Sequence, residues 1–169
     1  MKRLAVALSF LAGFLVALQP SGSFAQTKKF QSSNWVTACQ KNLSGRGRTC
    51  RMSRAIRQIG NNKPLLVTAI QRDLKNRGYM LVLRLPHGLN LPLGVQLQID
   101  RQKARRIAVL SSNRGGTYTR INLSDKVLAT LKRGRQLSIS FVTVDGKRFA
   151  IPVSLSGFTA SFNRLKKMR

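Results

Sequence analysis

Apolar and polar residues alternate along several short stretches of the chain, which predicts a series of β-strands. In residues 95–99, valine, leucine and isoleucine alternate with two glutamines, the pattern of a strand with one buried face. β-Branched and aromatic residues indicate further strands at residues 34–40, 65–72, 79–85, 106–110, 117–123, 136–144 and 148–155. Residues 50–59 mix apolar and basic positions and fit either a strand or a helix. Residues 86–93 contain two prolines and a glycine, so they cannot form a regular central strand.

Two short helices are predicted in the second half of the chain. Ser124 is a suitable N-cap for a helix from Asp125 to Arg133, which has an acidic residue in its first turn and basic residues in its last. A second helix is predicted to close the chain, opening at Ser156 or Thr159. Both helices are short, so strands dominate the predicted fold.

Turn-forming residues separate the predicted strands. Asp145-Gly146 favours a type I′ hairpin turn, and residues 111–116 are predicted to be a loop. Pro152 indicates that the last strand lies at a sheet edge or contains a bulge. Short strands with turns between them predict a mainly β fold, either an antiparallel β-sandwich or a partly open barrel. The chain has no internal repeat and no linker, so one domain is expected over residues 26–169.

The first 25 residues have the three-part layout of a secretory signal peptide. Lys2 and Arg3 give a positive start, residues 4–18 form an apolar run, and Ser23-Phe24-Ala25 offers a cleavage site before Gln26. The apolar run is shorter than the ~20 residues that span a bilayer, although a retained membrane anchor is the alternative. Cleavage would leave residues 26–169 in the periplasm or outside the cell.

The chain is extremely basic. It contains 31 lysines and arginines against four acids, all aspartates, and its formal net charge is +27 at pH 7. A charge of this size attracts anions over long distances. Outside the cytoplasm the abundant anions are lipopolysaccharide, acidic lipids and sulfated glycans. The predicted anion-binding surface consists of two clusters: Arg46, Arg48, Arg51, Arg54 and Arg57, and Arg101, Lys103, Arg105 and Arg106.

The basic clusters leave the identity of the partner open. Aromatic residues are scarce within them, so they lack the stacking platforms that recognise single-stranded nucleic acid. Nucleic acid is therefore expected to bind only non-specifically, through its phosphates. Three alternatives remain: a solvated charge with no fixed partner, a periplasmic accessory protein that binds another protein, and a protein that scavenges or packages extracellular DNA.

The two cysteines predict a structural disulfide. Cys39 and Cys50 lie 11 positions apart, which is too wide for a CxxC redox motif or a zinc knuckle. An exported chain meets an oxidising compartment in which disulfides form and persist. Closing this loop would stabilise the fold by ~3 kcal/mol.

The sequence offers little for catalysis. His87 is the only histidine, and no Gly-x-Ser-x-Gly motif frames a nucleophile. The four aspartates are scattered, and Asp100, Asp125 and Asp145 each have a local role at a strand end, a helix start or a turn. We therefore expect a protein that is not an enzyme and that holds no metal and no cofactor.

The order of these features resembles the invasion-associated locus B family of secreted bacterial proteins. Ser33-Asn34-Trp35 followed by Cys39 is similar to the Gly-Asp-Trp…Cys opening of the family. Residues 85–100 are similar to its proline- and glycine-containing segment, which runs into a strand ending in Ile-Asp. Residues 122–134 resemble its short helix after a strand, and residues 151–158 (IPVSLSGF) resemble its C-terminal signature.

The resemblance implies a virulence-associated protein of the cell envelope or of the secreted fraction, with Cys39 paired to Cys50. Two departures set this chain apart. Family members often carry a second cysteine pair at the positions of Ser112 and Thr117, so residues 111–116 are expected to be more mobile here. The Gly-Asp before the tryptophan is replaced by Ser33-Asn34, and a detailed role does not transfer safely.

Overall fold

Eleven strands and two helices form the part of the chain that the computed structural model describes, residues 30–41, 47–60, 63–73 and 76–168. The predicted signal peptide and Arg46 lie outside these residues. The strands are β1 Phe30–Ser32, β2 Val36–Lys41, β3 Arg48–Gln58, β4 Pro64–Asp73, β5 Gly78–Leu85, β6 Val95–Ile99, β7 Arg105–Ile107, β8 Ser111–Asn113, β9 Gly116–Leu123, β10 Gln136–Val142 and β11 Arg148–Ser154. The helices are α1 Asp125–Arg133 and α2 Phe158–Lys167, with a 3-10 turn at Leu91–Leu93.

The strands divide into two antiparallel sheets. The large sheet has the order β1-β3-β4-β5-β9-β8, and β2 also pairs with β3. The small sheet has the order β11-β10-β6-β7. The chain leaves the large sheet after β5, builds β6 and β7, returns for β8 and β9, and then completes the small sheet. The two sheets do not close into a barrel. Of the two predicted architectures, an antiparallel β-sandwich and a partly open barrel, the sandwich is confirmed.

The core lies between the sheets because every second side chain of each strand faces inward. In β5, Leu81, Leu83 and Leu85 are buried, while the residues between them are half-buried. Residues from both sheets and both helices join in one hydrophobic cluster. The alternation that predicted the strands is therefore the alternation that builds the core.

Residues 50–59, which fit a strand or a helix, belong to β3. Met52 and Ile56 are fully buried, and Arg54 between them is also buried. A polar residue on the inward face hides the period of two in the sequence. Pairing with β1 and β2 on one side and β4 on the other settles the segment as a strand.

The predicted helix α1 is confirmed with its bounds. The Ser124 hydroxyl accepts a hydrogen bond from the Val127 amide at 3.4 Å, which caps the first turn. Gly134 follows the helix at a crowded position. A Cβ there would lie 2.9 Å from both Ile99 Cγ2 and Leu155 Cδ1, so only glycine fits without a shift.

Two of the predicted connections are wrong in detail. Gly146 has a positive φ of 78° but Asp145 does not, so the β10–β11 turn is not type I′. The Gly146 amide donates to the Thr143 carbonyl at 2.9 Å, and the Thr143 amide donates to the Lys147 carbonyl at 2.9 Å. This is a three-residue loop with a left-handed glycine.

The predicted loop at residues 111–116 contains β8, which pairs with the start of β9 through a two-residue turn. Its three residues are all polar, so no alternation of apolar and polar residues predicts this short strand. Pro152 lies in β11, the outer strand of the small sheet, as predicted.

The predicted disulfide is confirmed. Cys39 and Cys50 are directly opposite each other on β2 and β3 and are bonded. Cys39 Sγ lies 3.6 Å from Met168 Sδ, just beyond α2. The bridge therefore closes the hairpin beside the end of the C-terminal helix.

Trp35 belongs to the core. Its indole nitrogen donates to the Ser154 carbonyl at 3.1 Å, and its ring meets the Phe158 ring edge to face at 5.3 Å. Helix α2 opens at Phe158, after a left-handed Gly157, rather than with a Ser or Thr cap. Burial of Phe158, Phe162 and Leu165 fixes this helix against the core.

Candidate anion-binding site

The second predicted basic cluster forms an exposed hairpin, which we call the basic hairpin. Arg101, Lys103, Arg105 and Arg106 are all exposed in the connection from β6 into β7. None of them forms an ion pair with any residue that the structure describes. Arg105 and Arg106 are adjacent on β7, so their side chains point to opposite faces, and the Arg106 guanidinium donates to the Pro92 carbonyl. The four cations therefore give one short connection a high positive charge, with no described carboxylate in ion-pair contact, but they do not share one face.

Asp100, the acidic residue closest in sequence to the basic hairpin, stabilises the turn. Asp100 has a positive φ of 48°. Its carboxylate accepts hydrogen bonds from the backbone amides of Arg135 and Gln136, the shortest at 2.9 Å. The Gln98 side chain donates to the Gln102 carbonyl at 2.9 Å. These bonds fix the start of the basic hairpin against the α1–β10 connection.

The first predicted cluster does not form one surface. Arg48 and Arg51 are exposed, but they are three residues apart on β3 and so point to opposite faces. Arg57 is half-buried on the same outer face as Arg51. Arg46 lies outside the described residues. The strand geometry therefore separates cations that are neighbours in sequence.

Arg54 is not a surface residue, so its assignment to the anion-binding surface is wrong. Its side chain is 7% exposed and lies between the sheets. Its guanidinium donates to the Ser154 and Ser156 carbonyls at 2.9 and 3.2 Å and to the Ser32 hydroxyl at 2.6 Å. Burial lowers the pKa of Arg54 below its usual value. The inward face of β3 directs this cation into the structure.

Two arginines on the outer face of the large sheet were missed. Arg120 on β9 lies opposite Val82 of β5, and Arg84 lies two positions further along β5. Such diagonal neighbours have Cα atoms roughly 7–8 Å apart. The Arg84 guanidinium also donates to the Gly115 carbonyl at 3.1 Å. Both arginines occupy polar positions in strands that alternate between apolar and polar residues, and this pattern could have predicted that they face outward.

The other carboxylates hold local structure. Lys147 Nζ lies 2.6 Å from the Asp145 carboxylate, and this hydrogen bond, with a second from Thr143, lowers the pKa of Asp145 to about 2. The same contact raises the pKa of Lys147. The Asp73 carboxylate accepts a hydrogen bond from the Asn76 side chain at 2.6 Å. None of these contacts involves a cation of the basic hairpin.

The residues considered for catalysis are not brought together. His87 is exposed between β5 and the 3-10 turn. Within the described ranges, no group of three or more His, Cys, Asp or Glu side chains is placed to hold a metal ion. No described helix combines the length and apolar character needed to cross a membrane.

The fold is that of a disulfide-bonded, mainly β sandwich with a basic surface. Comparison with known proteins identifies the family. Residues 35–166 match the family model described as invasion associated locus B (IalB) protein. The chain belongs to this family. The disulfide fits a protein of an oxidising, extracytoplasmic compartment.

Named relatives and a solved structure agree with the family. An invasion protein B homolog of Brucella abortus strain 2308 is 25% identical over 163 residues, which cover 96% of this chain and 91% of the relative. A homolog from Brucella abortus biovar 1 matches equally. The crystal structure of invasion associated protein B from Bartonella henselae superposes with a TM-score of 0.67 at 19% identity. That match covers 80% of this chain and 95% of the Bartonella chain, and it confirms the fold.

Proposed function

We propose that this protein is a non-catalytic periplasmic or secreted protein that associates with anionic surfaces of the bacterial envelope or of a host cell. The observation that carries the proposal is the basic hairpin, in which four exposed cations have no ion-pair partner among the described residues. Each Lys or Arg near an anionic membrane surface contributes about 1 kcal/mol of attraction. The Brucella and Bartonella relatives have names that refer to invasion, which is compatible with a protein that contacts a host cell.

The composition around the basic hairpin favours a charged surface over a specific nucleic-acid site. Residues 86–117 contain no Phe, Tyr or Trp, so the hairpin and its flanks supply no aromatic platform for bases. Phosphates of lipopolysaccharide and acidic lipids need only closely spaced cations. DNA should therefore bind no better than other polyanions.

The test compares binding of oxidised residues 26–169 to lipopolysaccharide, to anionic vesicles, to neutral vesicles and to DNA across a salt series. We expect association with lipopolysaccharide and anionic vesicles that persists at about 0.15 M salt and no association with neutral vesicles. Equal binding to all polyanions that vanishes at this salt concentration would contradict a dedicated surface role. Retention of a protein partner at high salt, with no vesicle binding, would favour the accessory-protein alternative.

A charge-matched pair of variants locates the surface. Replacing Arg101, Lys103, Arg105 and Arg106 by glutamine should weaken vesicle binding by about tenfold or more, because roughly 1.4 kcal/mol corresponds to one factor of ten. The control removes four exposed cations elsewhere: Arg77→Asn, Arg114→Gln, Lys166→Gln and Lys167→Gln. Asparagine is used at Arg77 because its φ is +52°. Equal losses in the two variants would mean that only net charge matters.

A further inference from the structure

One corner of the sandwich is open because two short strands leave their neighbours uncovered. Strand β7 pairs with β6 only at residues 95–97, and β8 pairs with β9 only at residues 116–118. The end of β6 and the second half of β9 therefore have no edge neighbour among the described strands. The helix α1 follows β9 directly and lies at the same corner.

A cleft of about 300 Å³ enters the core at this corner. Its inner walls are apolar and come from both sheets and from α1: Leu81, Leu97, Ile99, Ile121, Val127 and Leu137. Leu81 and Leu137 are 2% exposed and form its deep end. The volume lies at the lower end of the roughly 300–1,000 Å³ typical of small-molecule sites.

The mouth of the cleft leaves apolar surface accessible. Ile99, Ile107, Ile121 and Val127 are only half-buried, although each packs against the hydrophobic core. Burial of apolar surface is favourable in proportion to the area removed from water. A slender apolar group that entered the cleft would gain this energy along its whole length.

Cations surround this apolar mouth. Lys103 and Arg105 of the basic hairpin and Lys126 of α1 line the cleft and are exposed. None forms an ion pair with a described residue. The Asp100 carboxylate accepts hydrogen bonds from the Arg135 and Gln136 amides and forms no ion pair with a rim cation. Asp125, beside Lys126 in the first turn of α1, is the other nearby acid.

We propose that the cleft binds the acyl chain of a single-chain lipid whose anionic headgroup contacts Lys103, Arg105 and Lys126. The chain enters between β6 and β9, and the headgroup stays at the cationic rim. The small volume favours one chain over two. This proposal rests on the proposed attraction to anionic surfaces, because the basic hairpin supplies two of the three rim cations.

Three probes separate the contributions of the chain and the headgroup. Dodecanoate, below its micelle concentration, carries both groups, dodecyl maltoside carries the chain with a neutral head, and acetate carries the charge alone. Calorimetry should show one dodecanoate bound per protein, with dodecyl maltoside at least tenfold weaker and acetate not detectable. Methyl NMR shifts should centre on Ile99, Ile121 and Val127. Shifts spread over the surface, or no binding of dodecanoate, would overturn the proposal.

A cleft-filling variant tests the location. Val127→Trp should reduce dodecanoate affinity by at least tenfold, while Val144→Trp should leave it unchanged because Val144 is 74% exposed and does not line the cleft. Ile107→Trp fills the cleft from the opposite side and replaces Val127→Trp if that variant melts at a lower temperature than the native protein. Unchanged dodecanoate affinity in a folded cleft-filling variant would refute the site.

A rim variant tests the charges and keeps the two proposals distinguishable. Lys103→Gln, Arg105→Gln and Lys126→Gln together should reduce dodecanoate affinity to that of dodecyl maltoside and leave the maltoside affinity unchanged. Val127→Trp should retain native binding to anionic vesicles. Vesicle binding without any dodecanoate binding would overturn the cleft alone, whereas dodecanoate binding without vesicle association would overturn only the surface function.

Discussion

Arg54 on β3 donates a hydrogen bond to the Ser154 carbonyl at the end of β11, at 2.9 Å, so a buried guanidinium links the two sheets. The same carbonyl accepts the Trp35 indole N–H at 3.1 Å. Arg54 also lies 6.0 Å from the centre of the Trp35 ring. Arginine therefore stabilises the packing of the two sheets at this position, in addition to supplying charge at the surface elsewhere.

Replacing Arg54 by alanine should destabilise the fold by about 3 kcal/mol, because hydrogen bonds from a charged donor to buried acceptors are lost together with packing. Arg54→Met should cost less, since it fills the space and needs no partner. Urea unfolding of the oxidised proteins measures both values. An Arg54→Ala variant as stable as the native protein would show that the guanidinium contributes nothing net.

Removing the disulfide should also destabilise the fold by about 3 kcal/mol, from the entropy of a loop of this length in the unfolded chain. The double variant Cys39→Ser/Cys50→Ser and the reduced native protein should unfold at the same lower urea concentration. Different midpoints would show that the serine side chains, rather than the lost bridge, cause part of the effect. Reductant should not affect the double variant.

A second bridge can be added across the β8–β9 hairpin. Ser112 and Thr117 are directly opposite each other, with their hydroxyl oxygens 3.5 Å apart, as Cys39 and Cys50 are on β2 and β3. The double variant Ser112→Cys/Thr117→Cys should form a disulfide and gain about 2 kcal/mol for so short a loop. Thiol titration and unfolding with and without reductant measure both. Two free thiols in the oxidised protein would contradict the pairing.

The turn at Asp145 should titrate at low pH. Its carboxylate has a pKa of about 2 because Lys147 and Thr143 donate to it, against about 3.9 when unfolded. A depressed pKa means that the contact stabilises the turn above pH ~4 and is lost as the pH falls through about 2. A carboxyl-carbon NMR titration should show this midpoint, and Lys147→Gln should move it upward. An unchanged midpoint in that variant would assign the shift to other groups.

The sequence was a good guide to the strands and a poor guide to the surfaces. The alternation of apolar and polar residues predicted β6 with its observed bounds, and the N-cap residue Ser124 predicted the start of α1. Both signals are local in the sequence. Arg54 was misplaced because its inward direction depends on the register of β3. The cleft could not be predicted, since Ile99 and Ile121 meet only through the arrangement of the two sheets.

The scarcity of acids gives dissolved salt two opposite effects on this molecule. The chain has 31 lysines and arginines and four acidic residues. Folding brings these like charges close together, and their repulsion destabilises the folded state. Added ions relieve that repulsion as they weaken attachment to a polyanion. Low ionic strength should then strengthen binding to an anionic surface and lower the stability of the unbound protein. A bound anionic surface screens the protein's charges in place of the dissolved ions. The melting temperature should therefore rise on attachment most strongly in dilute buffer, so that the partner acts as a counterion for the fold.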